Sequence, residues 1–386
     1  MQIFAFWLGY SILSFFLTSK TISFYIFFEI ALIPTVLLVL FYGYQPEKLQ
    51  SSMYLLVYTV TASLPLLVLF LIRPIFFSSF VLTSSSWFTI CISLAFIVKT
   101  PLYLVHVWLP KAHVEAPVAG SIVLAGILLK IGSYGLIVFM PFVFNNFLLI
   151  YLSLSVLGSI YCSLICLRIW DTKGLIAYSR VVHMGVVSIG IIRGYELGYF
   201  CALIIVVAHG FTSTILFALA FDVYVWSHTR VINTNKGVLG LPVLAFIIFI
   251  LLAINFGVPP TINLWREIFL FARILNFSLF TIPFLLIAAL VGFLYNVFLY
   301  VSLSQQKESY NRREDVVAFP FINSAICSFL FIAYLSGFFG PFLISISIKI
   351  TLFRLSPYLV EVTGDMYRTQ NFIFFLLVNP SPSKNS

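Results

Sequence analysis

The chain has 386 residues, 62% hydrophobic and 9% charged, with a formal net charge of +9. Soluble domains carry about 25% charged residues, so too little polar surface exists to coat a water-soluble globule of this size. Soluble enzymes and nucleic-acid-binding modules are thereby excluded; the solvent is lipid. Five cysteines, Cys91, Cys162, Cys166, Cys201 and Cys327, all fall in apolar runs and read as core packing.

A spanning helix needs about 20 apolar residues. That ruler predicts an all-α polytopic membrane protein of about eleven transmembrane helices, at residues 3–18, 21–43, 52–72, 87–108, 116–140, 147–167, 174–192, 198–226, 238–272, 279–303 and 318–348. The opening stretch has no basic region, so no cleaved targeting peptide is expected and the first run is kept as a helix. The short apolar run at 371–378 is expected at the membrane interface.

Loops alternate sides. Those after helices 2, 4, 6, 8 and 10 carry Lys48, Lys111, Arg168, Lys173, Arg230, Lys236, Lys307, Arg312 and Arg313. The others carry only Lys20, Arg73, Arg193 and Arg273. The first set marks the positive-inside face, which places the N-terminus inside.

Two predicted helices are interrupted. The fourth has Pro101 just after Lys99, and the ninth contains NFGVPPTINLWRE, with Gly257, Pro259 and Pro260 in mid-span. Proline removes a backbone donor, and freed carbonyls at membrane depth are tolerated only against protein or water. Both breaks are therefore expected to face a polar interior. They lie five helices apart, which suggests two inverted five-helix repeats, 1–140 and 141–305, each with a broken fourth helix. A C-terminal segment, 306–386, supplies one more helix. Paired interruptions in inverted halves point to a transport site.

A charge at the bilayer centre costs about 2.5–3.5 kcal/mol on insertion scales. Four residues pay it: Glu29 and Lys99 in helices 2 and 4, Lys130 in helix 5 among Gly126, Gly132 and Gly135, and Glu267 after the second break. Snorkelling is the alternative for the lysines, and an interfacial position for the carboxylates. A Glu29–Lys99 pair would offset both charges. His183 and His209 are either hydrogen-bonded core residues or proton relays. His106, His113 and Glu115 lack the spacing of a helical metal site, and His113 and Glu115 are expected in a loop after Pro110. Together these residues imply a proton or cation path whose energy source lies outside the chain.

The block VKTPLYLVHVWLPKAHVEAPVAGSIVLAGILLKIGSYGL, residues 98–136, resembles the chain 4 family of NADH-ubiquinone oxidoreductases, antiporter-like membrane subunits of respiratory complex I. FEIALIPT (28–35), GYQPEKLQ (43–50), AHGFTSTILF (208–217) and PPTINLWRE (259–267) are similar as well. The resemblance implies a proton channel driven by quinone reduction in neighbouring subunits. Glu29 matches the family's acidic partner of a lysine, Lys99 that lysine, and Lys130 the central lysine. His183 and His209 match connecting histidines, and Glu267 the acidic residue near the outer exit. No cofactor is expected on this chain; NAD, FMN, iron–sulfur clusters and ubiquinone are expected in partner subunits. Expected partners are other membrane-arm subunits, especially the neighbouring antiporter-like ones, and lipids including cardiolipin, with no nucleic acid. The implied location is the mitochondrial inner membrane, with the N-terminus in the matrix. Three departures stand out. Family members carry three more helices on the N-terminal side, Arg180 and Val182 replace usual serines, and Arg266 replaces a common glycine. A cation/proton antiporter subunit of the Mrp type and a non-pumping spacer are the rival readings.

Overall fold

The computed structural model describes residues 2–43, 46–72, 86–139, 147–192, 196–235, 242–258, 263, 264, 267, 270 and 281–304. The predicted eleventh helix, the tail, Pro259, Pro260 and Arg266 lie outside the described residues. Among these, the regular elements are helices, with one isolated bridge between Asp171 and Val231. They run α1 (Gln2–Leu17), α2 (Thr21–Ile30), α3 (Leu32–Tyr42), α4 (Lys48–Ile72), α5 (Ser86–Lys99), α6 (Trp108–Glu115) and α7 (Val118–Val123). A π turn, Leu124–Leu128, joins α7 to α8 (Leu129–Phe139). There follow α9 (Phe147–Cys166), α10 (Thr172–Ile192), α11 (Glu196–Ser227), α12 (Pro242–Phe256) and α13 (Ile282–Ser304).

Six segments among the described residues are long and apolar enough to cross a membrane: Thr21–Tyr42, Lys48–Ile72, Val118–Phe139, Thr172–Ile192, Cys201–Phe221 and Ile282–Ser304. Each falls within a predicted helix or extends it by a few residues. The first of them bends at Ala31, between α2 and α3, because Pro34 cannot donate to the carbonyl four residues back.

The apolar core is split into two layers stacked along the helices. One gathers Phe24 and Phe28 of α2, Phe96 of α5, Ile131 to Phe139 of α8, Met184 to Ile192 of α10 and Cys201 to Val206 of α11. The other gathers Leu32 and Val36 of α3, Trp108 to Ala112 of α6, Leu124 to Leu129, Leu175 to Val182 of α10 and Ile215 to Val223 of α11. On α10 the two layers meet at His183, on the α7–α8 segment at Lys130, and on α11 around His209. Polar residues thus occupy the seam.

The break after α5 follows from Pro101. Thr100 N–H still donates to the Phe96 carbonyl (2.9 Å), but Leu102 N–H reaches back to Ile97 (3.3 Å), the acceptor that the missing proline N–H leaves. The Val98 carbonyl, so deprived, accepts from Trp108 Nε1 at 3.1 Å. Leu104, at φ 78°, turns the chain into α6. His113 and Glu115, expected in a loop, are instead the last turn of α6. Pro110 falls in the first turn of that helix, where its missing N–H has no partner to lose.

The second break begins at Gly257, whose φ of +92° suits glycine alone. Its N–H and that of Val258 close on the Ala253 carbonyl, ending α12.

At one end of the bundle the loops after predicted helices 2, 4, 6 and 8 converge. Arg230 donates to the Val114 carbonyl (3.0 Å) and Lys173 Nζ to that of Ala116 (3.5 Å). Thr172 N–H bonds the Arg230 carbonyl and Ile232 N–H that of Trp170. Glu47 is close enough to act on Glu115. Four even-numbered loops on one face agree with the alternation read from helix counting.

Candidate functional site

Lys99 ends α5, 1% exposed. Its ammonium donates to the Phe28 carbonyl at 2.7 Å and stands 3.0 Å from the centre of the Phe28 ring. A desolvated cation over a ring gains about 2 kcal/mol, so α2 holds this charge mainly through main-chain oxygen and ring face. Glu29, the next residue, acts on Lys99 electrostatically. The two do not form the expected direct pair: Glu29 Oε1 has no hydrogen-bond partner among the described residues. The Phe28 carbonyl takes the place the carboxylate was expected to fill. Gly132 makes the approach of α8 possible, since a Cβ there would stand 2.9 Å from Lys99 Cβ.

Lys130, half-buried at the start of α8, donates to the Ala125 carbonyl at 2.8 Å. Ala125 belongs to the π turn. The wider winding there departs from the usual four-residue bond pattern and offers a carbonyl to the side chain. A Cβ on Gly210 would lie 3.3 Å from Lys130 Cε, so that glycine lets the lysine pass along α11. Its neighbour His209 lies with its ring 4.8 Å from that of His183 on α10. The structure therefore brings Lys130, His209 and His183 together on three helices, and Gly132 joins the same α8 to Lys99. Neither lysine snorkels to a surface.

Beyond α12 a second polar group forms. Asn255 Nδ2 donates to Asn296 Oδ1 (3.3 Å) and Asn263 donates to the Ile254 carbonyl, beside the break. All three asparagines are buried. Glu267, partly buried, lies near enough to act on Tyr295 of α13. Asparagine was invisible as a site residue in the sequence because it carries no charge to betray the cost of burial.

Sequence reasoning also missed the α6 turn. His113 is fully buried, stacked on Phe217 with ring centres 4.7 Å apart. His106 lies in the break, stacked on Tyr103. At the loop face, burial and nearby Glu47 push the Glu115 carboxyl above its usual range. Burial likewise raises Asp171, against the backbone N–H of Lys173 donating to its carboxylate at 3.2 Å.

A helical membrane protein with broken spans and a row of ionisable groups in mid-bundle is of the ion-translocating, antiporter-like class. The chain belongs to the NADH:quinone oxidoreductase/Mrp antiporter transmembrane family, whose pattern it matches over residues 18–292. It is 38% identical over 300 residues to NADH-ubiquinone oxidoreductase chain 4 of Albinaria caerulea, covering 73% of this chain and 68% of the relative. Its identity to the chain 4 of Aedes aegypti is 43% over 299 residues, 74% of this chain and 67% of that one. The chain spans about two thirds of these relatives' length. Among solved structures, respiratory complex I from Thermus thermophilus with bound NADH superposes with a TM-score of 0.80 at 24% identity, over 88% of this chain and 75% of the other. The Mrp complex from Dietzia sp. DQ12-45-1b gives 0.79 at 14%, over 95% and 78%. At those identities the likeness is one of fold.

Proposed function

We propose that the chain is a proton-translocating membrane subunit of NADH:ubiquinone oxidoreductase, respiratory complex I, in the mitochondrial inner membrane. The observation that carries this reading is the seam: Lys130, His183 and His209 lie between two apolar layers on three helices, and buried Lys99 on α5 packs against the same α8 at Gly132. Loaded charge there is expensive, so the groups earn their place by moving it. Lys130 holds a proton as an ammonium donating to Ala125, and the neutral amine left after transfer keeps a donor for the same carbonyl. The adjacent imidazoles can take a proton on one nitrogen and release it from the other. Glu29 biases Lys99, and Glu267 serves the outer exit. Two inverted five-helix repeats with broken fourth helices, eleven helices in all and an N-terminus in the matrix complete the layout. Redox chemistry with NAD, FMN, iron–sulfur clusters and ubiquinone belongs to partner subunits. Neighbouring antiporter-like subunits and lipids such as cardiolipin flank the chain.

Substituting Lys130→Ala in the assembled complex tests this. Proton pumping per NADH oxidised is expected to fall by at least the share of one subunit. Unchanged pumping and oxidation would favour a structural spacer. The family also includes Mrp antiporters, and proton flux that requires sodium would move the assignment there.

A further inference from the structure

Arg180 sits in α10 between Ala177 and Val181, inside the apolar layer that lies between the seam and the convergent loops. It is 0% exposed, and Nε, Nη1 and Nη2 have no hydrogen-bond partner among the described residues. Its guanidinium carbon stands 4.7 Å from the centre of the Phe217 ring. His113 stacks on that same ring, nearly parallel at 12°. Both His113 ring nitrogens are likewise without a partner among the described residues. The charged groups that act on His113 are Arg180, Lys173 and Lys130, all cationic. No described carboxylate acts on Arg180.

Arginine stays charged in proteins. A guanidinium taken out of water needs a counter-charge and hydrogen-bond acceptors, and the face of one phenylalanine supplies neither acceptor nor full charge. Arg180 presents donors only and a neutral His113 one ring N–H, converging on one ring from α10 and α6. We propose that Arg180 and His113 form a binding site for one small monovalent anion of the halide class, beside Lys130. One negative charge balances one guanidinium, and the packed layer around Phe217 favours a spherical ion over a polyatomic one. Occupancy would offset the repulsion that Arg180 exerts on a proton resting at Lys130, so the anion would condition the proton path. The anion is not itself carried along that path, so its binding is measured without turnover.

The test is equilibrium binding of radioactive chloride to the purified complex containing the full chain, without NADH. Arg180→Ser is expected to lose one bound chloride per complex relative to the native chain, and Arg180→Lys to keep it with weaker affinity. Equal chloride in the native and Arg180→Ser complexes overturns the proposal. If Arg180→Ser fails to assemble, anomalous diffraction from native crystals in bromide decides. A peak within hydrogen-bonding reach of the guanidinium supports the site, and its absence overturns it.

Discussion

Lys99 and Lys130 are interpretable residue by residue because each of these two buried cations has an identifiable acceptor. Lys99 has the Phe28 carbonyl and Lys130 the Ala125 carbonyl, so both cations donate to main-chain oxygen, and at Lys130 no described carboxylate loses its counter-charge when the proton leaves. Glu115 shows the opposite bias at the loop face. Its carboxyl is raised by burial and by Glu47, so the folded state binds the proton more tightly than the unfolded one. The stability this contributes is complete below the ordinary carboxylate range and is lost as pH rises through the raised value. Glu115→Gln is therefore expected to flatten the decline in thermal midpoint of the complex on going from acid to neutral pH. A decline as steep as in the native complex would show that another group governs it.

Elements are positioned by small residues and by irregular turns. The α5–α8 contact depends on Gly132, where any side chain would press on Lys99 and its carbonyl carbon. Gly132→Val is expected to cost about 1–3 kcal/mol by overpacking and to lower the yield of assembled complex, while Ser133→Ala, on the same turn, leaves assembly near native. Much of this level was legible in the sequence. Apolar length located the six long spans found among the described residues, Pro101 and Gly257 announced the breaks, and the cost of burial singled out Lys99 and Lys130. The π turn was not legible, because an extra residue in a helix leaves no mark on an all-apolar run such as LAGIL. Pro110 misled for a related reason: proline reads as a stop in the chain, yet at the start of α6 it costs nothing.

At the scale of the whole molecule, helix counting put the even-numbered loops on one face, and the structure brings four of them together. The seam was not foreseeable, since it needs several helices at one depth before the row of Lys130, His209 and His183 exists. The convergent face should behave as one unit. Arg230→Ala removes the donor to Val114, and a lost charged hydrogen bond costs about 1.5–3 kcal/mol. Amide hydrogen exchange is then expected to rise together across 112–117 and 228–235 and to stay unchanged in α1. A rise confined to 228–235 would mean that the loops are not coupled.

That bond between Arg230 and Val114 also carries a timetable. It joins partners 116 residues apart, and ribosomes add roughly 5–20 residues per second, so the carbonyl of Val114 waits on the order of ten seconds after its synthesis before its partner emerges. During that delay the first half of the protein has an unfinished edge, and any insertase or assembly factor that holds it must release before residue 230 arrives.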